Sequence, residues 1–223
     1  MYYRIAESLD KKIIGTIWPQ TKDTIYPIHI DDPRFIKFYF LRPLDEKTVA
    51  AIPVIKNSAK LTDLLSALNN GTSFRLTISD KLKQILEPYV DGSLEFFPIT
   101  IQHKGLNKQG YWLTNILSVD NEECLDYSLS EITEERATPK YNKRLVYFES
   151  HIDFVEAVTK RVPGENIFGI TKPVIKKGIA KDIIVLRYVS AGGLSFYVSE
   201  KLKEMIQASG CTGLVFHPIE QAE

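Results

Sequence analysis

Apolar residues in this chain alternate with polar ones more often than they recur at helical spacing. In SFRLTI, from Ser73 to Ile78, Phe74, Leu76 and Ile78 alternate with polar neighbours, and LSFYV, from Leu194 to Val198, is β-rich in the same way. Further strands are expected at Tyr2–Ile5, Ile25–Ile30, Phe35–Phe40 and Ala51–Ile55, and RLVYFE, opening at Arg144, reads as another. LEFFPITI and YWLTNILSV read as two strands joined by the polar, glycine-containing loop QHKGLNKQG. Helical spacing is confined to short stretches, at about Ala59–Asn69 and at His151–Lys160 with Ser150 as its cap.

One design occurs twice, at an offset of 120. Ser79, Lys81, Leu82, Lys83, Leu94, Phe96, Pro98 and Ile99 recur as Ser199, Lys201, Leu202, Lys203, Leu214, Phe216, Pro218 and Ile219. Each serine follows a strand and stands where a helix N-cap belongs, so its hydroxyl can accept a free backbone N–H, and Asp80 or Glu200 follows in the first turn. Leu82, Ile85 and Leu86 form one apolar stripe, repeated by Leu202, Met205 and Ile206. Pro88 and Gly210 are expected to stop each helix after about three turns. A turn at Asp91-Gly92 or Thr212-Gly213 then leads into a strand ending at Pro98 or Pro218.

These elements predict an α+β fold: mixed, largely antiparallel sheets, a few short helices, and two pseudo-repeated lobes that each hold a strand–capped helix–strand unit. The stretch Thr133–Asn142 is polar and contains Pro139, so it serves as the expected linker. The lobes would then be 1–135, with the first unit at 78–99, and 144–223, with the second at 198–219. A single continuous domain is the other arrangement.

Charge changes this picture by exclusion. Twenty-eight basic residues balance 28 acidic ones, so no general field draws the chain to nucleic acid or to an anionic membrane. The longest apolar runs, such as IIVLRYV, are strand-sized and too short to cross a bilayer. The opening MYYRIAESLDKK lacks a basic segment followed by an apolar one, and Cys124 and Cys211 form neither a metal spacing nor a disulfide framework. A reduced, cytoplasmic protein is expected.

Motifs for catalysis are missing. Ser79 and Ser199 have no G-x-S-x-G context and read as structural caps rather than nucleophiles. His29, His103, His151 and His217 show no ligand spacing, and there is no phosphate-binding glycine motif, so neither metal nor cofactor is expected. Lys172, Lys176, Lys177 and Lys181 form a basic patch without interleaved aromatics, which suits a solvated edge better than a nucleic-acid track. Two features could meet a protein partner. Asp120–Glu135 holds seven acidic residues and no basic one, with Asp120, Glu122, Glu123 and Asp126 leading the strip; its other reading is a solvated face neutralised by nearby Arg136, Lys140, Lys143 and Arg144. Tyr111 and Trp112 are adjacent in one strand, so one ring faces the core and the other is free to anchor a partner.

ISDKLKQILEPYVDGSLEFFPITI, GYWLTNILSVDNEECLDYSLSE and FYVSEKLKEMIQASGCTGLVFHPI resemble immunity proteins of bacterial polymorphic toxin systems. The nearest resemblance is to immunity family eleven, with immunity family forty-three a close neighbour. It rests on Ser199, Glu200, Leu202, Gly213, Leu214, Phe216 and Pro218 at the end of the chain, and on Asn115 and Asp126-Tyr127-Ser128 in the middle. The resemblance implies a cytoplasmic protein that binds a cognate toxin domain, delivered by a neighbouring bacterium and encoded by an adjacent gene, and blocks it without catalysis. It leaves the toxin's chemistry and the oligomeric state open. Two other readings stand beside it: an enzyme with its site between the lobes, and a bacterial or phage structural assembly protein.

Overall fold

The computed structural model describes residues 1–67, 75–136, 142–161, 166–189 and 193–222. In chain order the elements begin with β1 (Tyr2–Glu7), α1 (Lys11–Ile14), β2 (Thr21–Ile25), β3 (Ile52–Ile55), β4 (Leu64–Leu65), β5 (Thr77–Ser79) and α2 (Asp80–Leu86). The hairpin β6 (Leu94–His103) and β7 (Leu106–Ile116) follows, then α3 (Asn121–Cys124), β8 (Glu131–Arg136), β9 (Asn142–Val146) and α4 (His151–Lys160). The chain closes with β10 (Asn166–Lys172), β11 (Val174–Ile175), β12 (Ile183–Tyr188), β13 (Gly193–Ser199), α5 (Glu200–Ala208) and β14 (Leu214–Gln221). This is an α+β protein with mixed, largely antiparallel sheets. Among the described residues no helix is long and apolar enough to cross a membrane.

The chain divides into two compact units, each discontinuous in sequence. One comprises Met1–Ile5, Val119–Glu200 and Phe216–Glu223; the other comprises Ala6–Ser118 and Lys201–Val215. The boundary expected between 135 and 144 instead falls inside a hairpin of the first unit, because β8 and β9 pair antiparallel from Ile132–Val146 to Arg136–Asn142. Of the expected linker, residues 137–141 lie outside the described residues.

The first unit holds a five-stranded sheet, β11-β14-β1-β13-β12, and a three-stranded sheet, β10-β8-β9. Its core gathers Tyr2, Ile132, Phe154, Phe168, Ile170, Ile184, Leu186 and Tyr197. Helix α4 supplies Phe154, and Ser150 caps it as expected, accepting the Asp153 N–H.

The second unit is built on a six-stranded sheet, β2-β3-β6-β7-β5-β4. Its core includes Ile36, Ile55, Leu65, Ile99, Ile101, Tyr111 and Leu113. β6 and β7 run past the expected loop and meet at a two-residue turn, where Lys104 (φ 53°) and Gly105 (φ 76°) both take the left-handed conformation of a tight hairpin. Neither Pro98 nor Pro218 ends its strand. In each case the parallel neighbour pairs only beyond the proline, β3 with Gln102 and His103 and β11 with Glu220 and Gln221, so the missing N–H leaves no ladder partner unmet there.

Three expected elements take other forms. Ile36–Tyr39 is a 3-10 turn, and the strand expected from Ile25 stops there, ahead of Pro27. The expected helix at 59–69 is extended chain leading into β4, with 68–69 outside the described residues. Buried Gln20 holds it open: its amide donates to the Lys60 carbonyl at 2.6 Å and accepts the Ser66 N–H at 3.0 Å, drawing off groups a helix would have used internally. α2 is also shorter than expected, seven residues, and tightens into a 3-10 turn at Glu87–Tyr89 around Pro88.

The two serines stand in matching settings. In the second unit the Ser79 N–H donates to the Asp63 carbonyl (2.8 Å), its hydroxyl donates to the Asp63 carboxylate (2.7 Å), and the same oxygen accepts the Leu82 N–H at the start of α2. In the first unit the Ser199 N–H donates to the Asp182 carbonyl (2.9 Å) and its hydroxyl to the Asp182 carboxylate. A tyrosine on the next strand comes to the residue before each aspartate: Tyr111 donates to the Thr62 carbonyl (3.2 Å) and Tyr2 to the Lys181 carbonyl (2.8 Å). Asp63 also accepts the Thr212 N–H, and Gly213 beside it has φ 85° and a Cβ position only 2.3 Å from the Leu64 carbonyl, which leaves room for glycine alone.

Ser79→Ala removes both the cap and the donor to Asp63, and is expected to cost about 1–2 kcal/mol in urea unfolding. Burial pushes Tyr2, Tyr111, Tyr127, Tyr197 and Cys124 each up to about 12. Above the ordinary values of 9.0 for the thiol and 10.0 for the phenols, the unfolded chain releases protons that the folded chain keeps. Stability is therefore expected to hold at neutral pH and to fall as pH rises from the ordinary values toward about 12, read as a falling urea midpoint with phenolate absorbance appearing on unfolding.

Candidate functional site

The carboxylates of the acidic segment separate into internal and exposed sets. Asp120 is only 3% exposed. With Asn121 it lies along the outer edge of β12 and pairs it as a neighbouring strand would. The Asp120 N–H donates to the Val185 carbonyl (2.8 Å), and the Val185 N–H donates to the Asp120 carboxylate (2.7 Å). One step on, the Arg187 N–H donates to the Asn121 side-chain oxygen (2.7 Å), and the Asn121 amide donates to the Arg187 carbonyl (2.9 Å). These contacts close an edge that would otherwise invite strand addition. Asp120 is therefore withdrawn from the expected partner surface, because its side chain is buried and committed to β12 and Lys181.

The lysine patch supplies much of the compensation for the acidic segment. The Lys181 ammonium lies 2.7 Å from Asp120 and 2.9 Å from Glu123. Lys172 lies 3.6 Å from Glu131, and Lys176 donates to the Glu122 carbonyl. Buried Glu134 meets Arg144 at 2.5 Å, across the β8–β9 pair. Asp126 organises its own turn, accepting the Ser128 hydroxyl and the Leu129 N–H. Of the four named acidic residues, Glu122 and Glu123 are left exposed, and Asp126 is half-buried.

Tyr111 is 8% exposed and belongs to the core, so it too is withdrawn as a partner contact. Trp112, on the opposite face of β7, is half-buried; its indole N–H donates to Asp80, and the Lys83 ammonium stands 4.7 Å above its ring.

Other reactive residue types are tied into the fold. Both serine hydroxyls act as donors to the aspartates that immediately precede the neighbouring strands. Asp120, Glu123 and Cys124 place their ligand atoms within 4.8 Å of one another, and among the described residues no histidine joins such a grouping. Lys181 already brings a positive charge to this cluster, and burial, reinforced by the two carboxylates, keeps Cys124 a protonated thiol at neutral pH. The Tyr127 hydroxyl lies 2.8 Å from His151 Nδ1, inside the aromatic core of the first unit.

The first unit also contains a pocket of about 310 Å³ lined by Arg4, Lys172, Val189, Tyr197, His217 and Glu220 among others. Sequence reasoning missed it: Arg4 and His217 lie at opposite ends of the chain, and only strand pairing within one sheet gathers them. The Asp120–Asn121 edge contact was missed for the same reason, since no spacing in the sequence links those residues to β12.

A model of the immunity protein family (Imm11) matches residues 47–221. The chain belongs to this family. No curated protein matches it. The Imm11 match takes in Asp63, Ser79, Asp182 and Ser199, as well as Trp112, Glu122 and Glu123, whereas β1 with Tyr2 and Arg4 precedes it.

The burial difference between neighbouring acidic residues can be measured. Asp120→Ala removes the inner partner of Lys181, which keeps Glu123, and leaves the buried Val185 N–H without its acceptor; it is expected to destabilise the chain by about 2–3 kcal/mol in urea unfolding. Glu122→Ala, on an exposed side chain, is expected to stay within about 0.5 kcal/mol of the parent.

Proposed function

We propose that this Imm11 chain binds a cognate toxin domain delivered by a neighbouring bacterium and neutralises it by occlusion, with no catalytic step of its own. The family match over residues 47–221 carries this reading. It is supported by the local chemistry, in which serines, the buried thiol and the inner carboxylates are committed to strand contacts and ion pairs. The protein would act in the cytoplasm, and the toxin would be encoded by an adjacent gene.

A toxin-binding interface needs on the order of 1,600 Å² with a few anchoring side chains at its centre. Glu122 and Glu123 are the carboxylates proposed to steer a basic partner, and Trp112 is the proposed aromatic contact. Asp126 contributes by holding the turn that follows them.

The decisive experiment is co-expression of the C-terminal domain of the adjacent toxin with and without this chain. Restored growth and a co-purifying complex are expected. Growth arrest despite abundant soluble protein, with no complex, would refute the reading. Replacing Glu122 and Glu123 together by lysine is expected to weaken the complex at least about tenfold at low salt, with a smaller effect at high salt. Unchanged affinity at low salt, with the fold intact, removes these residues from the interface.

A further inference from the structure

The two units share a strand arrangement that makes one difference between them informative. In the second unit, β4 pairs antiparallel with β5, β5 with β7 and β7 with β6, and β6 runs parallel to β3. In the first unit, β12 pairs antiparallel with β13 and β13 with β1, and β14, next to β1, runs parallel to β11. Ser79 faces Tyr111 as Ser199 faces Tyr2, and Thr77 faces Leu113 as Tyr197 faces Arg4. Trp112 donates to Asp80 as Tyr3 donates to Glu200. Arg4 thus occupies the place of Leu113. At the offset of 120, His217 occupies that of Phe97, which pairs with Leu113.

In the second unit this place is filled with hydrocarbon: Leu113 is 1% exposed, and Phe97 packs against the same core. In the first unit a guanidinium and an imidazole stand there instead, and the space is the pocket. The scaffold does not require a cation here, and a half-buried one is costly without an anion beside it. Lys172 is already balanced by Glu131 and Glu220, at 3.6 and 3.2 Å. Among the described residues no carboxylate forms an ion pair with Arg4.

We propose that the pocket around Arg4 binds a carboxylate carried on a short apolar stem. A guanidinium offers the planar, two-donor fork that matches a carboxylate, and Val189, Tyr197, Pro173 and Ile219 provide walls for the stem. Glu220, held by Lys172, also lines the pocket and disfavours a dianionic phosphate more than a singly charged carboxylate. The volume sits at the low end for ligand pockets, about 300 Å³, and fits an acidic side chain or a small carboxylic acid. The site stands apart from the immunity reading; only the source of the carboxylate depends on it.

The test uses the full chain with N-acetylglutamate as probe and N-acetylglutamine as its neutral counterpart, followed by NMR. Saturable shifts at Arg4, Val189 and Tyr197 are expected with the acid and not with the amide. Arg4→Leu, which installs the residue of the other unit, is expected to keep the urea midpoint and abolish the shifts. Arg4→Lys, which keeps the charge but loses the fork, is expected to weaken binding about tenfold. No saturable shifts in the parent chain, or equal shifts in Arg4→Leu, overturn the proposal. If Arg4→Leu also weakens the toxin complex, the carboxylate belongs to the toxin. A complex of unchanged strength, with probe binding lost, assigns the site to a small carboxylic acid.

Discussion

A serine bonded to the aspartate just ahead of the neighbouring strand fixes where strand gives way to helix in both units. Ser79 ends the ladder with β4 through its backbone, donates its hydroxyl to Asp63, and offers the same oxygen to the first turn of α2. One residue therefore fixes where the strand stops, where the helix begins and which neighbour the pair belongs to. Ser199 and Asp182 meet in the same way, ahead of α5. The tyrosine hydroxyls reaching the preceding carbonyls bring a third strand to the same point, so the reversal of direction is held from three sides. Polar groups buried at such a junction are stable because they satisfy one another.

Electrostatics follows the same pattern of internal satisfaction. Overall neutrality conceals two oppositely charged stretches, and folding brings them together: lysines between 172 and 181 meet carboxylates and a carbonyl between 120 and 131. Asp120 and Asn121 go further, using their side chains as a substitute strand on β12. This leaves the exposed carboxylate of Glu122 and, among the described residues, a guanidinium at Arg4 that forms no ion pair, while Glu123 is exposed but shared with Lys181. For an Imm11 protein, whose proposed work is recognition, such residual charges matter because compensated ones have little left to offer a partner.

Much of the local structure was legible along the chain. The Ser79 cap, the Ser150-capped helix and the β6–β7 hairpin depend on neighbours a few residues apart, and their patterns anticipate them. The failures involve distant partners. The helix expected at 59–69 lost to Gln20, some 40 residues earlier, whose amide competes for the Lys60 carbonyl and the Ser66 N–H. The expected linker is partly strand because β9 lies beside β8. Asp120 looked like surface because its run is acidic, but the β12 edge that buries it comes about 65 residues later, the separation of Asp120 from Val185.

The sequence by itself determined the α+β class, the Ser79 and Ser150 caps and the family resemblance, since each is written in residues close together or in short motifs along the chain. Tertiary structure alone decided which of Tyr111 and Trp112 faces inward, which acidic residues are spent on strand edges, and that Arg4 faces Tyr197 beside the pocket. The physical reason is register. Side chains alternate across a sheet, so which face a residue takes depends on strand pairing, and here β1, from the start of the chain, pairs with β13 nearly 200 residues later.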